Sequence, residues 1–169
     1  MLELSPLKRT PGMARTPRDL RFEICDGGRP VGALIYDRRR GRCAFTLGRE
    51  DFQVDSRHHG LETPPSPDGS TYTLTNSLSA QIACAERDRG VYAVDLGRDS
   101  FILQACKAPQ SYQLLREGDV EILGGVGQRA FPTARLVADL PDAFCMPFRV
   151  FLASLLLDEI TGPCAARAD

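Results

Sequence analysis

Four arginines stand together at Arg38, Arg39, Arg40 and Arg42, broken only by Gly41. A guanidinium presents its donors in a planar fork that fits a phosphate. A run of them in one turn is therefore anion-binding chemistry, for a lipid headgroup or a nucleic-acid backbone. The plainer alternative is a solvated turn in an arginine-rich chain. Other candidates ask more of the fold. His58 and His59 are the only histidines. Adjacent strand residues point to opposite faces, which suits loop histidines better than a pair of metal ligands, and nothing selects a nucleophile for either to activate. Glu117, Asp119 and Glu121 alternate and would share one strand face. Paired carboxylates do acid–base work where a pocket raises one of them; otherwise they make an ordinary soluble strand end. Gly124-Gly125-Val126-Gly127 lacks the glycine spacing of a dinucleotide turn and the Gly-Lys of a triphosphate loop, so it reads as a turn between strands. Asp95 to Asp99 lacks the ligand spacing of a calcium loop. The six cysteines (25, 43, 84, 106, 145 and 164) lie at least 18 residues apart, which gives no zinc-type pair. The expectation is no catalytic residue, no metal and no cofactor.

The elements that must position these residues are short. Arg21–Cys25, Val31–Tyr36, Cys43–Leu47 and Phe52–Val54 alternate apolar and polar residues between turn signals such as Asp26-Gly27-Gly28 and Arg38–Gly41. Glu62–Ser70 (ETPPSPDGS) holds three prolines and a glycine and reads as a long surface loop. The strand rhythm then resumes with Tyr72–Thr75, Leu78–Cys84, Val91–Leu96, Phe101–Cys106, Tyr112–Leu115 and Val120–Leu123. Ala130–Ala134 and Leu136–Ala138 would add one or two more. Repeats of this length mark a sandwich or barrel. With so many strands, closure into a barrel of about 12 removes the exposed edges.

The last part changes character. From Pro147 to Ile160 the chain reads PFRVFLASLLLDEI, apolar in nearly every helical direction, with Gly162-Pro163 as a stop. Such a helix must be buried. Its roughly 21 Å falls short of the roughly 30 Å bilayer core, so burial in protein is expected, down the middle of the barrel, with no transmembrane span. Arg149 within it should lie near an open end or beside an acid. The expected layout is a flexible arm at 1–19, one barrel domain at 20–161 with its helix at 147–160, and a tail at 162–169.

Composition sets the outer limits. The chain has 169 residues, 43% hydrophobic and 25% charged, with a net charge of -1 and no tryptophan. That is one domain of ordinary globular composition, and no whole-protein basic field argues for nucleic acid. Residues 1–60 nevertheless carry twelve basic and eight acidic side chains, and residues 61–169 nine and fourteen. The first residues hold no apolar stretch of a secretory signal. Six free, mostly buried thiols in a reducing cytosol are expected. Lys8 and Lys107 are the only lysines among 21 basic residues, a bias expected of a GC-rich, bacterial genome.

The strand run from Tyr72 to Leu123, the Gly124–Gly127 turn, Phe131–Leu140 leading into Pro141, and the helix PFRVFLASLLLDEI together resemble the tubby-like superfamily. Within it the ordering resembles the LURP-one-related and phospholipid-scramblase-like proteins. The resemblance covers about residues 20–161. It implies a twelve-stranded barrel around a hydrophobic C-terminal helix. It also implies a non-enzymatic, cytoplasmic or membrane-peripheral binding module for anionic lipid headgroups or a protein partner. Arg38, Arg39, Arg40 and Arg42 would be its anion-binding residues. The competing expectation is a small-ligand-binding barrel, or a barrel enzyme, with its site at one mouth.

Overall fold

A computed structural model describes residues 1–7, 19–58, 69–106, 110–119, 121–129 and 135–161. Twelve antiparallel strands close into one barrel. They are β1 (Leu2–Pro6), β2 (Asp19–Asp26), β3 (Arg29–Asp37), β4 (Arg42–Leu47), β5 (Glu50–His58), β6 (Ser70–Asn76), β7 (Gln81–Asp88), β8 (Val91–Leu96), β9 (Asp99–Ala105), β10 (Ser111–Arg116), β11 (Ile122–Arg129) and β12 (Arg135–Asp139). Each strand pairs with its sequence neighbour, and β1 pairs with β12 to shut the ring. The helix α1 (Met146–Thr161) completes the chain.

Period-two patterning decides which side chains face in. Leu34 and Tyr36 on β3, Cys43 and Phe45 on β4, and Tyr92 and Val94 on β8 are buried, while their neighbours Ala33, Ile35, Ala44 and Ala93 are exposed. A barrel of eight strands is filled by its own side chains; twelve leave room for a helix about 10 Å across. α1 takes that room. Phe148, Val150, Phe151, Leu152, Ala153 and Leu155 are all 0% exposed, so the helix is surrounded on every side. Phe148 meets Phe101 of β9, and polar residues of α1 reach β2, β3, β6, β8 and β10. Pro147 sits in the first turn, where its missing N–H breaks no helical bond.

Antiparallel order gives the barrel two distinct ends. The turns after β2, β4, β6, β8 and β10 lie at the end where α1 enters. The turns after β3 and β7 lie at the end where it leaves.

The sequence expectations meet this fold unevenly. The flexible arm expected over residues 1–19 supplies a strand: Leu2 and Leu4 point inward at 0% exposure. Two inward residues beside Ser5-Pro6 are too short a pattern to stand out. Residues 8–18 are outside the described ones. The strand expected from Leu78 begins later, at Gln81. The Asn76 side chain accepts the backbone N–H groups of Leu78 and Ala80 and makes that stretch a turn. The expected Gly124–Gly127 turn is instead part of β11. Gly125 pairs with Gln113 and Asp139, and Gly127 with Ser111 and Val137. A Cβ on Gly124 would lie 2.3 Å from the Asp139 carbonyl, and one on Gly125 would lie 2.7 Å from that of Tyr112. These glycines let neighbouring strands approach. The expected strand at 130–134 and most of the proline-rich loop are outside the described residues.

Candidate functional site

The arginine turn joins β3 to β4 at the exit end, and its four side chains diverge. Asp37, the last residue of β3, accepts the backbone N–H groups of Arg39 and Arg40 at 2.9 and 3.2 Å, which fixes the turn. Arg38 turns inward, and its Nε donates to the carbonyl of Thr161, the last residue of α1, at 3.3 Å. A cation there complements the negative end of the helix dipole. Arg40 lies 3.8 Å from Asp37, and Arg42 lies 2.9 Å from Asp55 on β5. Arg39 is exposed, with no carboxylate partner among the described residues. The turn thus has one arm in the structure, two in exposed ion pairs and one in water.

Behind the turn lies a polar cluster that the sequence reading missed. It gathers all four tyrosines of the chain around the last turn of α1. The Tyr36 and Tyr72 hydroxyls donate to the two oxygens of Asp158, at 2.8 Å for Tyr72. The Tyr112 and Tyr92 hydroxyls donate to Oε2 of Glu159, at 3.3 Å for Tyr92. Arg87 of β7 reaches Oε1 of Glu159 at 3.2 Å and lies over the Tyr92 ring, 5.3 Å from its centroid. Two acids in the last turn of a helix oppose the macrodipole. Here their charge is met by four hydroxyls and one guanidinium. Burial, and then the facing carboxylates for Tyr36, Tyr72 and Tyr112, push the phenols well above the ordinary tyrosine range. Tyr92 moves the same way through burial and its neighbour Tyr72.

A sequence signal for this cluster exists. Strands β6, β8 and β10 run away from the exit end and begin Tyr-x-aliphatic (Tyr72-Thr73-Leu74, Tyr92-Ala93-Val94, Tyr112-Gln113-Leu114). Strand β3 runs toward it and ends with the reverse, Leu34-Ile35-Tyr36. One ring of tyrosines at one height follows once the barrel is known.

The entry end holds Arg149, 3% exposed. Its Nη2 is 3.5 Å from Asp26 at the end of β2, and its Nη1 is 3.5 Å from Asp142. Its Nε has no hydrogen-bond acceptor among the described residues. The expectation of an open end and an acid partner holds for this residue.

The remaining candidates do not converge. Glu117, Asp119 and Glu121 are exposed and lie in the connection before β11, where Asp119 accepts the backbone N–H of Glu121. They share no strand face because this stretch is not a strand. His58 ends β5, and His59 is outside the described residues. Of the five described cysteines, all free, Cys43 is buried, Cys145 is exposed and the others lie between. The expectation of mostly buried thiols therefore fails: strand alternation turns Cys25 and Cys84 outward beside Glu23 and Asp95. No group of three metal-ligating side chains occurs among the described residues. No helix among them is long and apolar enough to cross a membrane. An open groove of about 410 Å³ runs along the outside of β10, β11 and β12, where Gly125 and Gly127 carry no side chain. Comparison with protein-family models, with curated proteins and with solved structures finds no match.

Proposed function

We propose that the protein is a non-catalytic binding module that associates with anionic lipid headgroups from its surface, using the arginine turn between β3 and β4. The filled lumen is the observation that carries this reading. Phe148, Phe151, Leu152 and Leu155 occupy the space in which a barrel enzyme or small-ligand carrier would hold its substrate. At the exit mouth the carboxylates and phenols are engaged with one another rather than turned toward an open cavity. What remains available is the outer surface, and there Arg39 and Arg40 are exposed on a turn braced by Asp37. The resemblance to the tubby-like and scramblase-like proteins supports the same reading, as does their barrel-around-helix plan. Co-sedimentation with phosphatidylserine-containing vesicles tests it. Binding should weaken when Arg39 and Arg40 become Ala; binding unchanged by that substitution would remove the arginine turn from the account.

A further inference from the structure

The chain's charge is divided between the two ends of the barrel as well as between the two halves of the sequence. At the exit end, exposed arginines stand on four separate parts of the rim. They are Arg39 and Arg40 between β3 and β4, Arg57 near the end of β5, Arg89 between β7 and β8, and Arg129 at the end of β11. The strand order spreads these positions around the ring rather than along one wall. Among the described residues the same rim also holds the acids Asp19, Asp37, Glu86 and Asp88, and Asp37 is engaged with the turn it braces. The entry end is the reverse. Glu50, Asp51, Asp99, Glu117, Asp119 and Asp142 are exposed there, against Arg29, Arg49, Arg98 and Arg116.

We infer that the barrel docks end-on against an anionic bilayer, exit end down, and holds it through this whole ring of arginines rather than through the β3–β4 turn alone. The inference rests on the lipid-binding reading above and adds the orientation and the further contacts. A ring of charges around the end of a closed barrel matches a plane of headgroups. Each arginine brought within a Debye length of the surface adds to the attraction, and the acidic end turned outward avoids repulsion. A single nucleic-acid strand would want exposed aromatic rings on which to stack its bases. Among the described residues the tyrosines are all buried and no phenylalanine is exposed, so the bilayer is the better match.

The test uses the full chain and phosphatidylcholine vesicles with and without phosphatidylserine. Three variants are compared with the parent: Arg39→Ala/Arg40→Ala; Arg57→Gln/Arg89→Asn/Arg129→Gln; and, as a control at the entry end, Arg49→Gln/Arg98→Gln. Asn at position 89 keeps the positive φ of 49° that the turn adopts. Circular dichroism checks that each variant is folded. Each rim arginine removed should weaken binding about fivefold, so the triple variant should lose about a hundredfold, and the control should bind like the parent. Loss in the double variant but not in the triple would leave the arginine turn standing and overturn the end-on orientation. Equal loss in the control would overturn it too. A parent that ignores phosphatidylserine, or that prefers a DNA duplex to the vesicle, would overturn both the orientation and the lipid reading.

Discussion

Where α1 leaves the barrel, two carboxylates meet four tyrosine hydroxyls and a guanidinium; where it enters, one guanidinium meets two carboxylates, each at 3.5 Å. Both arrangements place charge against the helix dipole, an arginine near its positive end and acids near its negative end. They differ in how that charge is answered. At the exit end the partners are buried and on five different strands. At the entry end Asp142 is 96% exposed and Asp26 34% exposed, so water does much of the work. The exit end therefore fixes the helix in the lumen, and the entry end tolerates it.

Alkaline pH should break this contrast most completely. Each phenol is held above its ordinary value in the folded chain, so the unfolded chain loses its proton first. Stability is then intact below the ordinary tyrosine pKa of about 10 and falls as pH rises beyond it, by up to about 1.4 kcal/mol per pH unit for each phenol. Tyrosinate absorbance should consequently appear together with loss of the barrel's circular dichroism. A phenol titrating at its ordinary value in the intact fold would show that the ring is not closed.

Next in size is Asp158→Ala. It leaves the Tyr36 and Tyr72 hydroxyls buried without their acceptor and should cost about 3 kcal/mol in denaturant unfolding. A cost below about 1 kcal/mol would mean that water replaces the carboxylate freely. Tyr72→Phe removes one donor of two to the same group and should cost about 1 kcal/mol. Arg149→Met should change stability least. It exchanges a long-range pairing for an apolar chain of similar reach and frees two carboxylates already in contact with water, so a shift within about 1 kcal/mol of zero is expected. A loss as large as that of Asp158→Ala would make the two ends equivalent.

Much of the architecture was readable because it rests on local patterns. Alternation at Leu34/Tyr36 or Tyr92/Val94 announces a strand with one buried face, and the all-round apolar run from Phe148 to Leu157 announces a helix with nowhere to go but the lumen. Leu2–Pro6 escaped notice because its burial depends on pairing with Leu136–Ala138, more than a hundred residues away. The glycines of β11 read as a turn because their reason is the close approach of β10 and β12, which is not a local property. The site divides the same way. Arg38–Arg42 is contiguous and was visible as a cluster, but only the fold shows Arg38 reaching the end of α1 and Arg42 turning to Asp55. The tyrosine ring is built from residues on four strands and remained out of sight although each Tyr-x-aliphatic pair was in plain view. The charge difference between the two halves of the sequence is a count along the chain, whereas the difference between the barrel's ends needs the strand directions.

Amide hydrogen exchange on the protein bound to phosphatidylserine-containing vesicles tests the central claim, that the two ends do different work, most directly. Protection gained on binding should appear at the β3–β4 turn around Arg39 and Arg40 and at the β7–β8 turn around Arg89. The entry-end turns at Gly27-Gly28, Gly48-Arg49 and Gly97-Arg98 should exchange as in the free protein. Protection centred on those entry-end turns, or spread along the outer wall of β10 to β12, would contradict the account.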